Sequence, residues 1–139
     1  MSMGISAAHN DYRLAGSIAF ADSAATPSRI QFFTAVYPTL GATLGATPAE
    51  TPVLEIVLAV PCGEVVDHVL VLEQASSTGD LIMATATVVW ARWVNGDGVL
   101  VADGTVTDSA GDGDFKLAGT DGTTLYAGAR AILGASSLS

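Results

Sequence analysis

Val88–Ala102 reads VVWARWVNGDGVLVA, and this stretch decides the fold. Val88, Trp90, Arg92 and Val94 alternate with Val89, Ala91 and Trp93, the two-residue period of a β-strand. Asn95-Gly96-Asp97-Gly98 follows, and then a second β-rich run, Val99-Leu100-Val101-Ala102. An Asn-Gly between two such runs is a strong hairpin signal, because both residues tolerate positive φ. The reading is therefore a β-hairpin across Asn95–Gly98. Trp90 and Trp93 have opposite parity, so at most one of them is expected in the core of a two-layer domain. The other is expected to cover a partner surface or, in the plainer alternative, to pack beneath a loop.

Upstream, Arg29–Tyr37 (RIQFFTAVY) is aromatic and β-branched and stops at Pro38, which predicts another strand. Val53–Val60 alternates, with Leu54, Ile56, Leu58 and Val60 on one face, and is expected to end at Pro61-Cys62-Gly63. Val65–Glu73 reads as a strand or a short helix, and its β-branched valines favour strand, with Val66, His68, Leu70 and Leu72 on one face. Leu81–Val94 is the longest strand candidate, and Leu14–Phe20 a short one. Downstream, Asp103-Gly104, Gly111-Asp112-Gly113 and Asp121-Gly122 mark turns between the apolar pieces Phe115–Ala118 and Leu125–Leu133. Short strands with closely spaced turns predict an all-β fold, a jelly-roll-like β-sandwich or barrel. Two segments stand apart. Residues 1–12 are polar and patternless, and are expected to form a flexible N-terminal arm on a single β domain over 13–139. Thr39–Pro52 (TLGATLGATPAETP) repeats TLGA and is expected to be a long exposed loop.

The chain has 139 residues, enough for one domain with its own core. Half of its residues are hydrophobic, yet no apolar run approaches the ~18 residues of a membrane span. The first ten residues carry no basic region or apolar stretch, so no secretion signal is expected. Five cations against 14 carboxylates give a net charge of −9. Lys116 and the arginines at 13, 29, 92 and 130 form no cluster, so neither nucleic acid nor an anionic membrane is an expected partner. High apolar content with few charges points instead to surfaces buried against another copy or a partner.

No chemistry-bearing motif emerges. Cys62 is the one cysteine, so no internal disulfide can form, and no nucleophile motif surrounds it, His68 and Asp67. Asp108, Asp112 and Asp114 could offer calcium oxygens, but they lack the EF-hand spacing, and Asp and Gly are what tight turns require. Turn chemistry is the preferred reading. The four glutamates stand in no glycosidase arrangement. No enzyme activity, cofactor or metal is expected. Trp90, Trp93, Tyr37 and Tyr126 could stack on sugars, which leaves a carbohydrate- or ligand-binding module as the alternative.

Taken together, the N-terminal arm, RIQFFTAVYPTLGATLGATP at 29–48 and DGDFKLAGTDGTTLYAGARAIL at 112–133 resemble the small cementing proteins of tailed bacteriophages. The resemblance implies a structural virion protein, made in the bacterial host cytoplasm and placed on the outer capsid surface. There it would bind the major capsid protein and link neighbouring capsomers, and the resemblance brings no catalytic residues. A homodimer is expected, and Tyr12, Leu40, Leu44, Trp90 and Trp93 are the expected partner-binding residues.

Overall fold

The structure is a computed structural model that describes residues 3–34, 48, 50–119 and 122–139. The all-β expectation is borne out: eleven strands accompany one helix among the described residues. Strand β1 (Arg29–Phe33) lies between β2 (Leu54–Val66) and β6 (Trp90–Val94), antiparallel to both. Its register places Ile30 beside Ile56 and Trp93, and Phe32 beside Leu54 and Ala91. All six are buried and form the concave, core-facing side of the sheet together with Leu58, Leu70 and Leu117. Burying a large apolar side chain contributes about 1.5–3 kcal/mol, so this row supplies much of the driving force.

The sheet contains nine strands in the order β11-β3-β2-β1-β6-β7-β8-β10-β4, curled into a half-barrel. The further members are β3 (Val69–Gln74), β4 (Asp80–Leu81), β7 (Leu100–Asp108), β8 (Phe115–Ala118), β10 (Arg130–Leu133) and β11 (Ser137–Leu138). A separate ribbon pairs β5 (Ala86–Thr87) with β9 (Thr124–Leu125). One C-terminal segment joins the two sides of the curl. Its first half pairs with β8 through Ile132 and Leu133, and its second half pairs with β3 through Ser137 and Leu138. Gln74 of β3 fastens the same seam. Its amide donates to Asp80 Oδ2 (2.7 Å) and to the Ala131 carbonyl (3.0 Å), and its carbonyl accepts from the Leu133 N–H (2.9 Å).

The hairpin across Asn95–Gly98 is present, with Val94 opposite Leu100 and Trp93 opposite Ala102. The reason for its glycines differs from the expectation. Positive φ falls on Gly98 (+81°), whereas Gly96 is needed for close approach: a Cβ there would lie 2.1 Å from the Thr26 carbonyl oxygen.

Several boundaries also differ. Residues 7–12 are not an arm and 14–20 are not a strand: Ala7–Ala21 is one helix, α1, which crosses the expected domain boundary at 12/13. Ser6 caps it by accepting from the His9 N–H, alanines favour it, and Leu14, Ile18 and Ala21 supply a helical stripe against the core. Strand β2 continues through Pro61-Cys62-Gly63 by way of an irregularity between Leu58 and Gly63. The long strand expected over 81–94 is three short ones, because residues 82–85 leave the sheet to meet Val53 and the 126–129 turn. The small and polar residues Gly134–Ser139 contribute β11, held by backbone pairing that their composition does not announce.

Candidate functional site

Trp90 and Trp93 sit back to back on β6. Trp93 points into the core and is 1% exposed. Trp90, on the other face, is 2% exposed and stacks on Phe33 with ring centroids 4.6 Å apart. Arg92 lies over the Trp90 ring at 5.4 Å and grips Asp103 on the facing strand with two hydrogen bonds, Nε–Oδ1 at 2.7 Å and NH2–Oδ2 at 3.0 Å. This pair is buried, with side-chain exposures of 8% and 1%. The expectation that one tryptophan covers a partner surface is therefore corrected: both are interior, because both faces of β6 are covered. Leu40, Leu44 and Tyr37 lie outside the described residues. Of the expected partner-binding residues, Tyr12 is the one found exposed, at 82%, on α1.

Cys62 and His68 serve structure. Burial, and then the nearby Asp22 charge, push the Cys62 thiol up to about 12, so it stays protonated and weakly nucleophilic at neutral pH. His68 is in the two-residue turn between β2 and β3. Its Nδ1 meets Asp11 Oδ1 at 2.9 Å, and its carbonyl accepts from Asn10 Nδ2 at 3.1 Å. The acidic turns likewise use their carboxylates on the chain itself. Asp108 accepts from the Gly122 and Ala110 N–H groups, which hold its carboxyl below the usual range, and Asp114 accepts from the Thr105 N–H and hydroxyl. No cluster of metal-ligating side chains occurs among the described residues.

Two features could receive a partner. The first is a pocket of about 280 Å³ beside the seam, where β11 diverges from the start of β8. Leu72, Trp93, Phe115 and Leu138 give it apolar walls, with Asp103, Asp114 and Ser137 beside them. Both carboxylates are already bonded to Arg92 and Thr105, so the pocket offers apolar volume more than free polar groups. The second is a surface patch. Leu81, Met83 and Tyr126 are 51%, 54% and 63% exposed on two segments that face each other, joined by the Ile82 N–H donating to the Ala129 carbonyl and the Gly128 N–H to the Ile82 carbonyl. Ile82 between them is buried in the core, whereas Leu81 and Met83 on either side are exposed. Sequence reading passed over this patch because it folded 81–83 into one long strand and left Tyr126 as one stacking candidate among four.

No family model matches the chain, and no curated protein or solved structure matches it either.

Proposed function

We propose that this chain is a structural module that attaches to the outer surface of a tailed-phage capsid, binds the major capsid protein and stabilises the shell. The observation that carries the reading is the Leu81–Met83–Tyr126 patch. Three large apolar side chains, each more than half exposed, stand on two segments that backbone hydrogen bonds hold side by side next to the edge strand β4, on an otherwise acidic molecule. Contiguous exposed apolar surface is unfavourable in water and marks places that a partner covers. The cementing-protein resemblance at 29–48 and 112–133 supplies the kind of partner. A bridging role asks for rigid anchors and repeated weak contacts, whose combined strength over a shell exceeds that of any one of them.

The alternative of a glycan-binding module is less well supported. Two of its four stacking candidates, Trp90 and Trp93, are interior, which leaves Tyr126 exposed among the described residues. Co-sedimentation with phage shells assembled from major capsid protein tests the reading. The wild-type chain is expected to pellet with shells, and the pair Met83→Ser with Tyr126→Asp to remain in the supernatant while keeping its circular dichroism spectrum. Equal pelleting of both chains moves the attachment site elsewhere. Failure of the wild type to pellet, with retention on a glycan array, replaces the reading with the alternative.

A further inference from the structure

The outer face of α1 carries a pattern with an internal symmetry. Leu14, Ile18 and Ala21 turn toward the core, which leaves Ala8, Tyr12, Gly16 and Phe20 on the opposite side, all exposed. Tyr12 is 82% and Phe20 43% exposed. They stand one helical turn before and one turn after Gly16, at i−4 and i+4. A Cβ built on Gly16 meets nothing within 4 Å, so no contact inside the chain requires glycine there. Glycine in mid-helix costs roughly 0.5–1 kcal/mol relative to alanine, a cost that its own fold does not explain.

We propose that α1 is a self-association face, on which two copies of this chain pack their helices antiparallel about a two-fold axis through Gly16. A two-fold interface must be self-complementary, with residue i on one copy meeting j on the other and j meeting i. About Gly16 the stripe satisfies this: Tyr12 of each copy falls against Phe20 of the other, and glycine meets glycine. The missing side chain lets the axes approach more closely than the usual ~8–10 Å.

Charge favours the same occupant. The chain is strongly acidic, so two copies repel over most orientations. Between residues 3 and 21 the one carboxylate is Asp11, and it is turned to His68, while Arg13 flanks the stripe. The face is small. Tyr12, Phe20 and the small residues between them cover less than the about 800 Å² per partner of a standard interface. The result is a reversible dimer rather than an obligate one. This inference specifies the self-association of the chain and does not depend on the capsid reading.

Sedimentation velocity of the full free chain over a concentration series tests it. The wild type is expected to show a monomer–dimer equilibrium. Gly16→Glu is expected to raise the dimer dissociation constant at least tenfold while leaving the melting temperature of the monomer equal or higher, since glutamate is the better helix former. Gly16→Cys, under mild oxidation, is expected to cross-link as a dimer well above a Ser77→Cys control, the native Cys62 being buried. A wild-type chain that stays monomeric at several hundred micromolar overturns the proposal. So does an undiminished dimer in Gly16→Glu, or cross-linking of Gly16→Cys no greater than the control. Because no shell is present, each of these failures leaves attachment to capsids to be judged separately.

Discussion

The β6–β7 hairpin closes on a five-residue turn and the β2–β3 hairpin on a two-residue turn, and they are held by different means. At the first, Asn95 organises the turn from within. Its Oδ1 accepts from the Asp97 and Val99 N–H groups, its own N–H donates to the Val99 carbonyl, and Gly98 takes the left-handed conformation. At the second, two non-glycine residues adopt positive φ, Asp67 at 49° and His68 at 65°. That conformation is costly for L-residues, although Asp and His tolerate it better than most. The turn is held from outside, by Asn10 and Asp11 of α1. A turn written in its own residues can be read from sequence. A turn imposed by a distant element cannot, which is why Val65–Glu73 read as one continuous element with no turn at Asp67-His68.

The largest expected effect lies in the body of the β6–β7 pair. Asp103→Ala leaves Arg92 buried without its carboxylate, and is expected to lower stability by about 3–5 kcal/mol in urea unfolding. A loss below ~1 kcal/mol would mean that the pair is far better solvated than its burial indicates. Next comes the turn of the same hairpin. Gly96→Val drives a branched side chain into the Thr26 carbonyl, and is expected to cost roughly 1–3 kcal/mol. If Gly98→Val proves much the more harmful, then backbone conformation rather than close approach governs the turn.

The β2–β3 turn should respond to changes made far away in sequence. Asn10→Ala removes the bond to the His68 carbonyl and is expected to cost about 0.5–1.5 kcal/mol. Its clearest readout is Cys62, buried in β2, which should react with a thiol reagent several-fold faster in this variant, whereas Gly98→Ala should leave that local opening unchanged. Equal acceleration by both would erase the distinction between the two hairpins. The smallest effect is a gain: Asp67→Gly relieves one left-handed residue, and is expected to raise stability by up to about 1 kcal/mol, offset in part by backbone entropy.

The same contrast explains what else could be read from the sequence. Arg29–Phe33, Leu54–Leu58 and Trp90–Val94 are alternating and β-branched, and they are strands in the structure. Helix α1 was missed because just three of its side chains, Leu14, Ile18 and Ala21, pack on the core, too few to set a visible period. The C-terminal segment was missed because its role is backbone pairing with two different strands, which leaves no mark in Gly134–Ser139. Of the expected partner-binding residues Tyr12 is exposed, but the tryptophans were placed by parity alone. Parity shows that they face opposite sides of the strand, and does not show that both sides are covered. The Leu81–Met83–Tyr126 patch depends on residues more than forty positions apart meeting across the 126–129 turn.

The central claim is that the chain attaches to a shell through that patch. Hydrogen–deuterium exchange of the chain, free and bound to shells, tests it most directly. The account predicts added protection at residues 81–84 and 124–128 on binding, with the Asn95–Gly98 turn unchanged. Protection at Asn95–Gly98 with none at 81–84 and 124–128 would contradict it.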